Sequence, residues 1–389
     1  MYNLDALSAD PQGSSSSLPI AEGEGWRLRC AGESDRETLV TLLDEIPFGA
    51  PSAFVEHRGE DILALRRAQL AGFRPKPTAF ILETPDGEPI GCFSVSVRSR
   101  PRPGAVVEQA ALGVIGDLRI RREHRGGEVL AQALARAVDH TRVSHAVDYF
   151  SMAVVSSDIY SLAPFLRRET HRFAQPMSQV VVRHALAYLP LGKKVRHRTE
   201  RNHQWAHPDD REELLDFIVR GQAGRRFGIL YDDDLLRARE KAWSGFSVDR
   251  FYVVRGREGQ IAACAAPWDP GDLRRLSRVR PGFFGRSHGL GSVPAGRPLK
   301  LSYLTHLCCD PVSLGPAEDL LRGLCNELAD EGQDGLVVMT PMDGAVHRAL
   351  EELSATVVPV SILGLTAAGT SQNTTNLRAP DVGLESVFL

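Results

Sequence analysis

The chain has 389 residues, with 46 Lys and Arg against 49 Asp and Glu, a formal net charge of -3 and 43% hydrophobic residues. That length is too great for one compact core and suits two domains of ordinary size, while the near-neutral balance argues against a whole-molecule nucleic-acid binder and leaves room only for local basic patches. Six cysteines (Cys30, Cys92, Cys264, Cys308, Cys309 and Cys325) are scattered without CxxC spacing, which reads as reduced thiols and suggests neither a disulfide framework nor a structural zinc site. No apolar run approaches the roughly 20 residues of a membrane span and no basic-then-apolar signal opens the chain, so a soluble cytoplasmic protein without membrane contact is expected.

Residues 1–23 are polar, with the Ser14–Ser17 run, and read as a flexible leader. The pattern then predicts a strand over Arg27–Cys30, a helix with Leu39, Leu42, Leu43 and Ile46 on one stripe, and a hairpin whose strands Ala79–Glu83 and Pro89–Val97 flank the turn Pro85-Asp86-Gly87. A strand pattern over Val106–Ile120, a glycine loop, a helix carrying Val129, Leu130, Ala133, Leu134, Ala137 and Val138, a buried strand Tyr149–Val155, a helix Ile159–Arg168 and a strand Met177–Val182 follow. After Pro190-Leu191-Gly192 the order starts again. A strand Arg196–Arg201, a helix Asp209–Val219 with an Asp cap, strands Phe251–Val254 and Gln260–Ala266, and a long strand Leu299–Cys309 are expected. The helix Ala317–Ala329, strand Leu336–Met339, helix Ala345–Leu353 and strand Val357–Leu363 complete it, and Arg378–Leu389 ends in a strand-like Ser386-Val387-Phe388-Leu389. Setting Pro311 opposite Arg122 and Leu314-Gly315 opposite Arg125-Gly126 gives an internal repeat with an offset of about 189 residues.

The most informative stretch is Leu118-Arg119-Ile120-Arg121-Arg122-Glu123-His124-Arg125-Gly126-Gly127, followed by Glu128-Val129-Leu130. An alternating apolar and basic run ends there in a paired glycine, and a helix begins. The first amide N–H groups of a helix lack intrahelical partners and carry the positive end of its dipole, so a glycine-rich entry lets a pyrophosphate approach bare backbone. This stretch, with the order of elements around it, resembles the acyl-CoA loop of the GNAT acyltransferase superfamily. Arg125 and Gly126 match the first two loop positions, and Glu128 stands where the next glycine is expected.

The resemblance implies an α/β (α+β) fold of two tandem GNAT-like domains, each a mixed central sheet flanked by helices, over 24–190 and 191–389. It implies acetyl-CoA or another acyl-CoA as co-substrate, without a metal, held by Leu118, Arg119, Ile120, Arg125, Gly126, Gly127, Glu128, Val129 and Leu130. The corresponding loop of the second half, Val312-Ser313-Leu314-Gly315-Pro316-Ala317, has a single glycine, so CoA is expected in the first half alone. Superfamily members commonly place a carboxylate on the central strands to draw a proton from the amine, and Glu108 and Asp117 are the candidates. The superfamily's thiolate-protonating tyrosine would fall near Leu166–Arg168, where none stands, and Tyr160 is the nearest substitute.

Two other patterns invite chemistry. On the strand Ser302–Asp310 a period of two puts Ser302, Leu304, His306, Cys308 and Asp310 on one face and Tyr303, Thr305, Leu307 and Cys309 on the other. His306 and Cys308 could then form an activated thiolate pair, or simply two core groups. The basic run Arg274, Arg275, Arg278 and Arg280, near Trp268 and Phe283-Phe284, suits either phosphate contacts with tRNA or a solvated helix face. The leading expectation is an N-acyltransferase whose small amine or amino-acid-like acceptor lies between the halves, the second half supplying substrate contacts or a homodimer surface. The alternatives are a transferase using aminoacyl-tRNA, similar to the Fem-type ligases, and a non-catalytic binding module.

Overall fold

The apolar alternation of the chain is spent on one long sheet. The computed structural model describes residues 19–45, 54–58, 68–69, 71–72, 77–101, 109–124, 128–147, 149–155, 177–192, 195, 203–223, 229–278, 296–309 and 314–366. The first half gives β1 (Ala21–Gly23), β2 (Trp26–Cys30), α1 (Arg36–Glu45), β3 (Phe54–Arg58), β4 (Thr78–Glu83), β5 (Pro89–Pro101), β6 (Gln109–Ile120), α2 (Glu128–His145), β7 (Tyr149–Val155) and β8 (Met177–Pro190). The second gives β9 (His203–Trp205), α3 (Arg211–Ala223), α4 (Asp233–Ala242), β10 (Tyr252–Arg255), β11 (Ile261–Trp268), β12 (Arg274–Arg278), β13 (Pro298–Leu299), β14 (Leu301–Cys309), α5 (Leu314–Asp330), β15 (Gly335–Pro341), α6 (Ala345–Glu352) and β16 (Thr356–Thr366).

Thirteen strands join in the order β1-β2-β4-β5-β6-β7-β16-β8-β15-β14-β11-β10-β9, and β13-β12-β3 form a small separate sheet. Read inward from its two ends, the large sheet repeats one pattern. The last strand of each half is exchanged: β16 lies antiparallel to β7, and β8 lies antiparallel to β15, with β8 and β16 paired at the centre. Each half therefore completes the other's sheet, and neither leaves an exposed edge at the junction. This also explains why β8 runs on to Pro190 beyond the expected Val182, since it has a bonded neighbour on both sides.

Alternate residues separate the layers. Phe80, Leu82, Phe93 and Val95 face α2, where Leu130, Ala133, Leu134, Ala137 and Val138 are buried. Ile81 and Cys92 face the other way, onto Leu39 and Leu42 of α1. In the second half Ala317, Leu320, Leu321 and Leu324 of α5 and Ala349 and Leu350 of α6 cover one face. Leu214 and Ile218 of α3 and Leu235 and Leu236 of α4 cover the opposite face. Burying each such Leu or Phe is worth about 2 kcal/mol.

Several expectations are corrected. The expected strand Leu299–Cys309 is split, because Pro298–Leu299 turn away to pair with β12 while β14 starts at Leu301. The bend is fixed by Asp334, whose carboxylate accepts from the Lys300 amide at 2.9 Å. Asp209 does not cap α3; His207 begins a 3-10 turn over Pro208–Asp210, and Asp210 accepts from the His207 amide at 2.8 Å. Helix α4 was not expected, and Asp232 caps it by accepting from the Leu235 amide at 2.7 Å. Arg274–Arg278, read as a solvated helix face, is a strand paired with β3 and β13. The helix Ile159–Arg168, the strand Arg196–Arg201 and the stretch Arg378–Leu389 lie outside the described residues. No helix among the described residues is long and apolar enough to cross a membrane.

Candidate active site

β6 carries the irregularity around which the candidate site is built. It pairs in parallel with β7 from Leu112–Tyr149 to Ile115–Met152, and there the ladder stops although both strands continue. On its other edge it pairs with β5, where Cys92 faces Arg119 but Ser94 faces Gly116, so β6 holds one extra residue. That bulge contains Asp117, at a φ of 55°. Asp is among the few residues that tolerate the left-handed region, and bulges commonly re-aim a side chain beside a functional site.

The extra residue reverses the alternation. Ile115, Leu118 and Ile120 all pack on the α2 side, whereas an unbroken strand would have put Asp117 there with Ile115. Asp117 instead turns to the α1 side, half-buried, and the Ser94 hydroxyl donates to its Oδ2 at 3.1 Å. Arg119 is buried, and its Nη1 donates to the Leu118 carbonyl at 3.1 Å. Asp117 thus stands just beyond the point at which β6 and β7 part.

Past β6 the Arg121 amide still donates to the Ile90 carbonyl at 2.9 Å, and a 3-10 turn over Arg122–His124 leads toward α2. Arg125, Gly126 and Gly127 lie outside the described residues, as do the candidates Glu108 and Tyr160. Glu128 opens α2 and is exposed, with Gln132 Nε2 donating to its Oε2 at 3.4 Å, which draws the carboxylate back along the helix. Val129 and Leu130 pack their side chains into the α2 core, so what they can offer a ligand is backbone. Among the described residues no group of three His, Cys, Asp or Glu could hold a metal ion.

The second half repeats this geometry and fills it differently. β14 parts from β15 after Tyr303–Val337. Against β11, Cys264 faces Cys308 while Ala266 faces Thr305, so β14 also holds an extra residue there, and His306 has a φ of 53°. His306 follows Asp117 by 189 residues, the repeat offset, and Leu304, Leu307 and Cys309 take the places of Ile115, Leu118 and Ile120. The expected alternation of Ser302–Asp310 is thereby corrected, since the bulge puts Tyr303, not Leu304, in the same core as Cys308.

His306 is fully buried within rings of Tyr231, Phe246, Phe251 and Trp243, at centroid distances of 5.1, 5.1, 5.1 and 5.9 Å. Arg239 of α4, equally buried, donates from Nη1 to His306 Nε2 at 2.8 Å and to the Tyr231 hydroxyl at 3.0 Å, with its guanidinium 4.6 Å from the Trp243 ring centre. The Thr305 hydroxyl donates to the Ala266 carbonyl at 2.8 Å, so it must accept from His306 Nδ1, also at 2.8 Å. These bonds assign a neutral His306 with its proton on Nδ1. Its remaining lone pair is taken by Arg239, so it cannot activate Cys308, whose thiol is buried and donates to the Phe217 carbonyl at 3.7 Å. At the start of α5, Glu318 and Asp319 are buried, and Glu318 is paired with Arg322 at 2.7 Å.

No family model and no curated protein matches the chain in sequence. Solved structures do match it in shape. A Saccharomyces cerevisiae N-myristoyltransferase with bound myristoyl-CoA aligns over 95% of this chain and 92% of its own at a TM-score of 0.57 and 10% identity. A second structure of that enzyme with bound myristoyl-CoA aligns over 95% and 87% at 0.56 and 12% identity. A GCN5-related glucosamine N-acetyltransferase region of a fungal multi-domain GH3 β-N-acetylglucosaminidase aligns over 89% of this chain and 38% of that one at 0.55 and 12% identity. The chain has the GNAT fold. Within the GNAT fold, the basic run read either as a phosphate-contacting patch or as a solvated helix face is part of the small sheet. Leu276 and Ser277 of β12 are buried and Arg275 is exposed. Arg274 is in register with Arg58, and Arg275 with His57. Arg280 lies outside the described residues.

Sequence reasoning named Asp117 as a candidate and named neither Ser94 nor Arg239, the side chains that bond the two bulge residues. A signal for Ser94 was present: Phe93, Val95 and Val97 occupy one face of β5, so the intervening Ser94 and Ser96 mark the opposite face as polar.

Proposed function

We propose that the protein is an N-acyltransferase that moves an acyl group from acyl-CoA to an amine, with one site per chain, in the first half. The observation that carries this reading is the bulged Asp117 at the open end of the β6–β7 ladder, with the first turn of α2 next along the chain. The fold is shared with an N-myristoyltransferase holding myristoyl-CoA and with a glucosamine N-acetyltransferase region, which supports an acyl-CoA donor and an amine acceptor.

In this reading the backbone amides of 125–130 hold the pyrophosphate, and N–H groups near Leu118–Ile120, beyond the point where the strands part, receive the thioester carbonyl oxygen. The neutral amine attacks the carbonyl carbon, a C–N bond forms, and the C–S bond breaks. Asp117, directly or through one water, takes the proton the nitrogen sheds, and the departing thiolate is protonated by Tyr160 or by water, giving amide and free CoA thiol. No covalent enzyme intermediate is required.

The test is thiol release from acyl-CoAs graded from acetyl to myristoyl, with a panel of small amines and amino-acid-like acceptors. Thiol release that depends on the amine is expected for at least one donor. Thiol release with none of them, together with transfer from aminoacyl-tRNA, would replace this reading by the tRNA-dependent one.

A further inference from the structure

We infer that Ser94 is a positioning residue for Asp117, fixing the carboxylate in the orientation and charge state in which it takes the amine proton. This rests on the reading of Asp117 as the base.

The contact belongs to the bulge. The extra residue of β6 lies between the rungs Cys92–Arg119 and Ser94–Gly116, so Ser94 is the β5 residue at which the register resumes. Its hydroxyl donates to Asp117 Oδ2 at 3.1 Å across the irregularity. A residue at a φ of 55° inside an irregular ladder is no longer aimed by the strand's alternation, and the Ser94 hydroxyl gives its carboxylate a fixed contact on β5. The α1 side of β4 and β5 is otherwise lined by the small or apolar Ala79, Ile81 and Cys92 against Leu39 and Leu42, so the hydroxyl of Ser94 stands out there. Ser96, two residues on, bonds only the Val114 carbonyl, at 3.4 Å.

The second half supplies an internal control. Ala266 faces Thr305 as Ser94 faces Gly116, so the position of Ser94 is taken by an alanine. In that half the bulge residue is no carboxylate, and His306 is held by Arg239 and Thr305 instead. The serine and the carboxylate occur together and are absent together.

The experiment compares Ser94→Ala, Ser94→Cys and Ser94→Thr with the parent and with Asp117→Asn, reading kcat, KM for acyl-CoA and amine, and the pH dependence of kcat/KM. A hydroxyl donating to a carboxylate favours its charged form, so its loss raises the pH at which the base becomes active. Ser94→Ala is expected to lower kcat about tenfold, leave KM for acyl-CoA unchanged and move the acidic limb to higher pH by about half a unit to one unit, on the scale of a lost charge-assisted hydrogen bond. Ser94→Thr should restore both. Ser94→Cys keeps the volume with a weak donor and gives the same test if the alanine variant folds poorly. Carboxyl-carbon NMR titration of Asp117 in parent and variant reads the shift without turnover. An inactive Asp117→Asn beside an unmoved acidic limb in both Ser94→Ala and Ser94→Cys would overturn the inference alone. A fully active Asp117→Asn would overturn the reading of Asp117, and the inference with it.

Discussion

At its bulge the first half carries Asp117, half-buried and held by Ser94, whereas the second carries His306, sealed among four rings and bonded to Arg239. The backbone is the same in both places: a strand parted from its parallel neighbour, one extra residue, and a left-handed φ of 55° or 53°. The side chains differ, and in the proposed reading they give the two copies different work. A carboxylate on a half-open face can exchange a proton with a substrate, while a neutral imidazole with both nitrogens bonded serves to pack and to hold α4 against the sheet. In the proposed reading the GNAT backbone is duplicated while the chemistry is confined to one copy.

Exchanging the two contents in function should therefore fail in opposite ways. Asp117→Asn is expected to lower kcat/KM by about 10²–10⁴-fold, the range of a lost general base, with the melting temperature nearly unchanged. His306→Ala should instead cost about 2–4 kcal/mol in urea unfolding, because it opens a cavity beside the buried guanidinium of Arg239, while turnover per folded molecule stays at the parental value. A stable but inactive His306→Ala would put chemistry in the second bulge and break the contrast.

How much of this could be seen in the amino-acid order divides along the same line. The repeat was legible to the residue: an offset of 189, set on the loops, carries Asp117 onto His306 and Ile115, Leu118 and Ile120 onto Leu304, Leu307 and Cys309. Asp117 was legible as a polar group in an apolar strand. The bulges were not, because the left-handed residue is an Asp or a His rather than a glycine, the neighbouring Gly116 of the first bulge is replaced by Thr305 in the second, and strict alternation then misplaces what surrounds each bulge, as it did for Tyr303 and Leu304. The exchange of β8 and β16 was hidden because pairing between distant strands leaves no local trace. The run Arg274–Arg278 misled because charge on the central strand of a small sheet reads like charge on a solvated helix, and only the burial of Leu276 and Ser277 distinguishes them.

A smaller effect tests the scaffold that the halves share. Arg29 binds Asp35 at 2.7 and 2.8 Å and Glu83 at 2.9 Å, and Asp35 also accepts from the Gly32 amide at 2.8 Å, tying the start of α1 to β2 and β4. Arg255 does the corresponding work in the second half, bonding Asp210 and Glu213, each at 2.9 Å. The Arg29 guanidinium holds the Asp35 carboxyl below the usual carboxylate range. A lowered folded value means that this stability is present above the unfolded value near 4 and is lost as pH falls through the folded one. Asp35→Asn should cost about 1 kcal/mol at neutral pH, and its melting temperature should converge with that of the parent as pH drops below about 4. A constant gap across that range would mean that the Asp35 charge contributes nothing.

The central claim, one acyl-CoA site and that one in the first half, is tested most directly by calorimetric titration of the parent, Gly126→Asp and Gly315→Asp with an acyl-CoA that the thiol-release panel selects. The substitutions put the same carboxylate at corresponding places of the two repeats. A single equivalent of bound acyl-CoA is expected in the parent, weakened by about 1–3 kcal/mol in Gly126→Asp through an unfavourable charge beside the diphosphate, and unchanged in Gly315→Asp. Two equivalents in the parent, or a loss of binding in Gly315→Asp rather than in Gly126→Asp, would contradict it.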